Sequence, residues 1–288
     1  MADLPHQLEK LSLLTFLGST MLALGLTVTP RTILAPLRNQ ALVLPALALN
    51  FVVAPALAWL LTVVIPLAPG YATGLLLLGC AAGAPFLPQV AKFARGDVAL
   101  AAPLISLLTL GTILFMPFGL PRVVPGLPAD PWAIVRPLAS MIVLPLCAGM
   151  FMRHRAPRFA DRAAPALGLV GKASLLLFFV LLVTLNVRLL LGALGSGAIL
   201  AASAYFAGLF LIGWRFGGSK PEVRATMALA TAGRNFGAAL VPAAGGLDDP
   251  KVTVMIVAGA IVCVLVCFLA AGWVRLTKLA DRGGGVQT

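Results

Sequence analysis

The length of the apolar runs constrains this chain more than any other feature. Blocks of roughly 18 to 25 apolar residues recur from one end to the other, the length of helix that crosses the hydrocarbon core of a bilayer. In lipid every backbone N–H and C=O must be paired within the protein, so runs of this kind fold as helices. About nine spans are expected on this criterion, near residues 11–28, 40–65, 69–91, 98–119, 131–152, 163–187, 194–214, 221–244 and 252–274. The expected fold is an all-α polytopic membrane protein forming one transmembrane unit over residues 1–288. The first span reads as a retained helix, because no small-x-small cleavage signal follows it.

The charge pattern fits the same reading. Only 10% of residues are charged, against about a quarter in a soluble domain. The formal net charge of +12 raises the possibility of nucleic-acid binding, but the basic residues sit in short loops between apolar blocks. Positive-inside bias accounts for them. Fourteen fall on one side, among them Arg31, Arg38, Lys92, Arg95, Arg153, Arg155, Arg215, Lys220, Arg224 and Arg275. The opposite side has four: Lys10, Arg122, Arg188 and Lys251. The crowded side is expected to be cytoplasmic, with the N-terminus outside and the C-terminus inside. An odd number of spans is needed to keep this separation. The Ala-, Leu-, Gly- and Arg-rich composition fits a cell membrane of the bacterial inner type.

Catalytic arrangements are missing. The two histidines, His6 and His154, lie in flanks, and no Ser/His/Asp set, metalloprotease motif or paired carboxylate occurs. There is no phosphate-binding G-x-x-x-x-G-K-[ST] loop, so ATP is not expected as a partner or a drive. The four cysteines have no C-x-x-C spacing and read as small apolar residues, leaving no expected metal site.

Two spans depart from regular helix. The third reads Gly79-Cys80-Ala81-Ala82-Gly83-Ala84-Pro85-Phe86-Leu87-Pro88-Gln89. Its prolines remove backbone donors and clash with the preceding turn, which predicts a break. The eighth reads Ala232-Gly233-Arg234-Asn235-Phe236-Gly237, with two glycines beside a polar pair. Broken helices in lipid are tolerated only where protein or a water-filled cavity covers them. In secondary transporters such discontinuities frame the solute site near mid-membrane. The two breaks are five spans apart, and an odd offset implies opposite orientation. That predicts an inverted repeat with two crossing, interrupted helices.

Arg234 lies near the centre of the eighth span, where an arginine costs several kcal/mol. No span interior holds an Asp or Glu to pair with it. Two readings stand: Arg234 with Asn235 binds an anionic solute, or Arg234 is structural and is satisfied by carbonyls of the broken third span. Gln89, Pro85, Pro88, Gly233 and Gly237 join the candidate solute site through the breaks. Asn50 joins it as a lone amide in the second span, and Lys172 as a lone cation in the sixth.

Several segments, in order, resemble the bile acid:sodium symporter family. They are Gly25-Leu26-Thr27-Val28-Thr29-Pro30, Asn50-Phe51-Val52-Val53-Ala54-Pro55, the Gly79–Gly83 break, Ala94-Arg95-Gly96-Asp97-Val98-Ala99-Leu100 and Asn235-Phe236-Gly237. The resemblance implies a secondary transporter of a small organic solute working by alternating access, and Arg234 suggests that the solute is anionic. It also implies two crossing broken helices in a core that moves against a panel. The core would include 69–119 and 221–274, and the panel helices 11–65 and 131–187. The sodium ligands do not carry over. Leu87-Pro88 stands where the family has Ser-Asn, Ala101 and Ile105 replace hydroxyl residues, and Ala230 replaces a glutamate. Arg234 and Asn50 each align with a glutamine. Sodium needs several oxygen ligands, so no cofactor is expected and sodium coupling is doubtful. An arsenite-efflux transporter of the same fold and a non-transporting scaffold or sensor are the alternatives. Against the first, Phe86 follows Pro85 where a cysteine would be required; against the second, loops and tails are short.

Overall fold

The structure is a computed structural model that describes residues 3–27, 29, 40–124, 132, 136, 139–185, 187–244, 247 and 249–283. The basic loop with Arg31 and Arg38 lies outside the described residues, as does most of 125–138. Among the described residues the elements are helical, apart from one isolated β-bridge. Six helices among the described residues are long and apolar enough to cross a membrane. They are α1 (Leu4–Thr27 of the helix Asp3–Thr27), α2 (Gln40–Val64), α5 (Val98–Val123), α7 (Pro157–Leu185), α9 (Ala198–Phe216) and α12 (Pro250–Thr277 of Pro250–Gly283). The remaining expected spans are built from shorter pieces. The third is α3 (Pro69–Cys80) and α4 (Leu87–Phe93), and the eighth is α10 (Pro221–Ala232) and α11 (Phe236–Ala244). The fifth is a π-helical stretch, Ala139–Val143, running into α6 (Leu144–Arg155). A short helix, α8 (Val187–Leu194), joins α7 to α9.

Packing sorts the helices into two groups. In the first, α1 lies along α7 and α6. Hydrophobic driving force between helices is weak in lipid, and close backbone approach between small residues takes its place. Here Gly25 meets Gly149: a Cβ on Gly149 would lie 2.9 Å from the Gly25 Cα. The second group holds α9 against α10 and α12, and α3 against α12 and α2. The sequence placed 40–64 with the panel helices, but in the structure α2 packs on α3, α5 and α9 of the second group. The reason is local: Gly79 lets α3 close on α2, where a Cβ would come within 2.9 Å of the Ala58 Cβ.

The two interrupted helices cross at their breaks. α11 packs on α3 and α10 packs on α4, so each half of one helix contacts one half of the other. Between them, Ala82 and Arg234 form the isolated antiparallel bridge. The Asn235 N–H donates to the Ala81 carbonyl at 2.9 Å.

The Ala94–Asp97 turn anchors the far end. Arg95 takes a left-handed φ of 53°, and the Gly96 N–H returns to the Ala91 carbonyl at 2.8 Å. Asp97 then caps α5 by accepting from the Leu100 N–H at 3.0 Å. The Asp97 N–H donates to the Glu222 carbonyl and its carbonyl accepts from the Thr226 hydroxyl, both at 3.1 Å, tying this turn to the start of α10.

Candidate functional site

Arg234 is fully buried, and it is the largest side chain so enclosed. Its Nε donates to the Leu78 carbonyl at 2.9 Å. One terminal nitrogen donates to Asn50 Oδ1 at 2.9 Å, and the other to the Gly79 carbonyl and, at 3.4 Å, to the Asn50 carbonyl. Each acceptor is available for a reason written in the sequence. Leu78 and Gly79 end α3, where the last carbonyls leave the regular helical ladder and carry the negative end of the helix dipole; the Leu78 carbonyl also accepts from the Ala81 N–H at 3.2 Å. The Asn50 carbonyl is released differently. Asn50 lies in a π-helical stretch, Leu49–Val53, in which the Ala54 N–H bonds to the Leu49 carbonyl. In that register the Asn50 carbonyl should pair with residue 55, and residue 55 is a proline with no N–H. Arg234 takes the orphaned acceptor. The Asn50 side-chain amide is fixed from behind, donating to the Ala46 carbonyl at 2.9 Å.

The backbone of the first break is equally well held. Thr112 accepts from the Ala82 N–H at 2.9 Å and donates to the Ala82 carbonyl at 3.0 Å. Gly83 follows at φ 90°, and a Cβ there would lie 2.8 Å from the Thr109 nitrogen. Only glycine fits both demands. In the second break a Cβ on Gly233 would lie 2.8 Å from the Ala84 Cβ. Asn235 caps α11 through Oδ1, which accepts from the Ala238 N–H at 3.1 Å. The rings of Phe86 and Phe236 stack across the two breaks at 6.0 Å. Among the described residues, two buried polar atoms find no acceptor or donor: Asn235 Nδ2 and the Tyr205 hydroxyl.

Beside the crossing lies a cavity of about 410 Å³. The first helix group supplies Thr20, Met21, Leu24 and Thr27 to its wall, and the second supplies Pro85, Pro88, Gln89, Ser106 and Thr109. It therefore sits between the groups, and among the described residues no charged side chain lines it. Asn235 and Gly237 are close by the same boundary, since a Cβ on Gly237 would lie 2.7 Å from Leu17 of α1.

The structure thus brings together most of the residues singled out from the sequence, in two places. Arg234 and Asn50 form the buried centre, and Gly233, Asn235 and Gly237 form the second break. Pro85, Pro88 and Gln89 line the cavity. Lys172 is brought to neither: it is exposed on α7. The guanidinium of Arg234 does not line the cavity, so a direct contact with solute is not what this geometry offers. The hydroxyls of Thr20, Thr27, Ser106, Thr109 and Thr112 were passed over in the sequence, where isolated Ser and Thr in apolar helices carry no spacing signal. At the positions where sodium ligands would be expected, Ala101, Ile105 and Ala230 are buried and carry no side-chain oxygen.

Comparison with known proteins agrees with this architecture. A 157-residue segment is 26% identical to a protein of Oryza sativa subsp. japonica named as a probable chloroplastic sodium/metabolite cotransporter, covering 54% of this chain and 37% of that one. A 198-residue segment is 23% identical to an Arabidopsis thaliana protein of like name, covering 68% of this chain and 49% of its relative. The matched region thus spans half or less of the length of these curated relatives. Residues 14–193 match the Sodium Bile acid symporter family. With most of its length matched and its helices apolar enough to span a bilayer several times, the chain belongs to the Sodium Bile acid symporter family, whose members are membrane transporters and not enzymes.

Proposed function

We propose that the protein is a secondary transporter that moves a small organic anion by alternating access, without sodium. The observation that carries this reading is the Arg234 guanidinium, held by the carbonyls of Leu78, Gly79 and Asn50 and by the Asn50 amide oxygen. A cation, Arg234, is already built into the crossing beside the neutral amide of Asn50, and the resemblance places a family glutamine at each of these two positions. Sodium at this place would face a fixed positive charge and would lack the carboxylate that offsets dehydration of a hard cation.

The solute would occupy the 410 Å³ cavity, whose walls come from two helix groups. In this reading α1, α6 and α7 form the panel and the remaining spans the core. Nine spans arranged as an inverted repeat would let the core rock about the crossing. Hydrogen bonds to carbonyls satisfy the guanidinium donors but leave its net charge in place. At about 10 Å and an effective dielectric near 20, one charge favours an anion by on the order of 1–2 kcal/mol. Charge then acts at a distance, while Gln89 and the wall hydroxyls offer the direct contacts. The multi-pass chain would sit in a bacterial inner membrane with its crowded basic side cytoplasmic.

A thermal-shift screen of the detergent-solubilised protein against small carboxylates and sulfonates tests this, run in sodium chloride and again in choline chloride. A ligand stabilises the folded state by mass action. The expected hit raises Tm equally in both salts, and its uptake into proteoliposomes is indifferent to the sodium gradient. Uptake that climbs steeply with external sodium would overturn the sodium-free reading. Hits confined to neutral solutes would overturn the anionic one.

A further inference from the structure

Away from the crossing, α9 and α12 run side by side and leave an apolar groove of about 290 Å³ on the outer surface of the second helix group. Two small residues, Ala207 and Ala270, are part of its lining. Leu211 and Leu269 rise on either side and are 63% and 74% exposed. Phe210 and Trp273 close one end, with ring centroids 6.3 Å apart. The groove runs from about Val266 to Trp273, roughly 10 Å of helix, enough for several methylenes of one acyl chain.

What lies beyond the aromatic end identifies the occupant. Trp214 meets Trp273 edge to face with centroids 5.4 Å apart, and the Arg224 guanidinium lies 5.7 Å above the Trp214 ring. Arg224 is held there by the carbonyls of Gly218 and Ser219. Arg215 follows Leu211 by four residues, one turn further along the same helix face, and is exposed. Arg275 follows Trp273 by two residues and stacks over Phe93 at 5.3 Å. Lys220 adds another positive charge, and Glu222 is the one acidic residue between Ser219 and Leu247 among the described residues. An apolar slot thus opens onto tryptophans of the kind that sit at a bilayer interface, and then onto several cations.

We propose that this groove binds one anionic phospholipid, with an acyl chain between Leu211 and Leu269 and the phosphate at Arg215. Arginine suits a phosphate because its planar fork donates two parallel hydrogen bonds. A second copy of the chain is a poor fit for the same face. A two-fold contact in the membrane would bring the Arg215 and Arg224 ends of both copies together, and like charges facing each other oppose association.

The test uses the full chain purified in detergent and stripped of lipid. Phosphatidylglycerol and phosphatidylcholine are added separately, with Tm and native mass spectrometry as readouts. Phosphatidylglycerol should raise Tm and stay bound, with at least tenfold tighter binding than phosphatidylcholine. Arg215→Gln, at an exposed position, should fold normally and lose about tenfold in phosphatidylglycerol affinity. Ala207→Leu, which adds bulk to the groove lining, should weaken both lipids. Equal stabilisation by the two lipids in the wild type would overturn the proposal, as would an unchanged affinity in Arg215→Gln. A dimer that Ala207→Leu converts to monomer would overturn it in favour of a second copy.

Discussion

The loop 81–86 has two sides that behave differently. Residues 81–84 are buried, and the carbonyls just before them are consumed by Arg234. A few residues on, Pro85 and Gln89 open onto a cavity without a charged wall. The sealed side holds the charge and the open side holds the space. A bilayer tolerates a cation where enough oxygen acceptors converge on it, and here the acceptors come from a helix end and from a π-helical turn. In the proposed function, recognition of a solute is left to weakly polar groups on the other side. If the division is real, damage to the sealed side lowers stability, whereas damage to the open side changes affinity.

The largest effect is expected from Arg234→Ala. It leaves the Gly79 carbonyl and the Asn50 acceptors buried without the donor they have here, each costing about 1–3 kcal/mol, and strips Leu78 of one of its two donors. The total is several kcal/mol, read as a fall in Tm of the detergent-solubilised protein. Arg234→Lys should recover only part, because an ammonium cannot span carbonyls on two helices as a planar fork does. A wild-type Tm in Arg234→Ala would show that the crossing is held by something else.

Gly83→Val comes next, since it must adopt φ 90° and drive a Cβ into the Thr109 backbone. The strain of an L residue in this region is about 1–3 kcal/mol before the clash is added. Solubilised protein should melt well below wild type, while Gly168→Ala, where an added Cβ meets nothing within 4 Å, serves as the matched control. Equal melting of the two would remove the claim that the first break is tightly pinned.

On the open side the sign of the experiment changes. Gln89→Leu removes an exposed amide from the cavity wall and strands no buried partner. Its Tm should stay near wild type, while the apparent affinity for the stabilising anion falls several-fold in titration. A large loss of stability with affinity intact would reverse the proposed division.

Much of this was legible in the residues. Apolar run length located the helices, and the Gly83-Ala84-Pro85 and Gly233-Arg234 sequences marked both breaks, because chain stiffness and lost donors are local properties. The pairing of Arg234 with Asn50 was not legible. It depends on a change of helical register at Leu49–Val53, and a π-turn leaves no clear trace in composition. Pro55 was the available signal: a proline five residues after a polar residue leaves a π-register carbonyl unpaired. Helix partners were harder still. The grouping of α2 with α3 follows from the close approach at Gly79 and Ala58, which alternation and hydropathy do not encode. The cavity hydroxyls were invisible for a similar reason, since Thr20 and Ser106 are brought to one wall only by tertiary packing.

The smallest effect is expected at Lys172, and it sharpens the comparison from outside. From the sequence alone Lys172 and Arg234 look alike, each a lone cation well inside an apolar run. In the structure one is enclosed by four oxygen contacts and the other is exposed on α7. A lysine on such a face reaches the interface by bending its stem toward the headgroups, so its ammonium need not be met by protein. Lys172→Leu should therefore leave anion affinity and uptake at wild-type levels and leave Tm unchanged or slightly raised, because leucine belongs in hydrocarbon. A loss of uptake in this variant with Tm preserved would mean that the first helix group also delivers a charge to the solute path, and the assignment of charge to the crossing alone would fail.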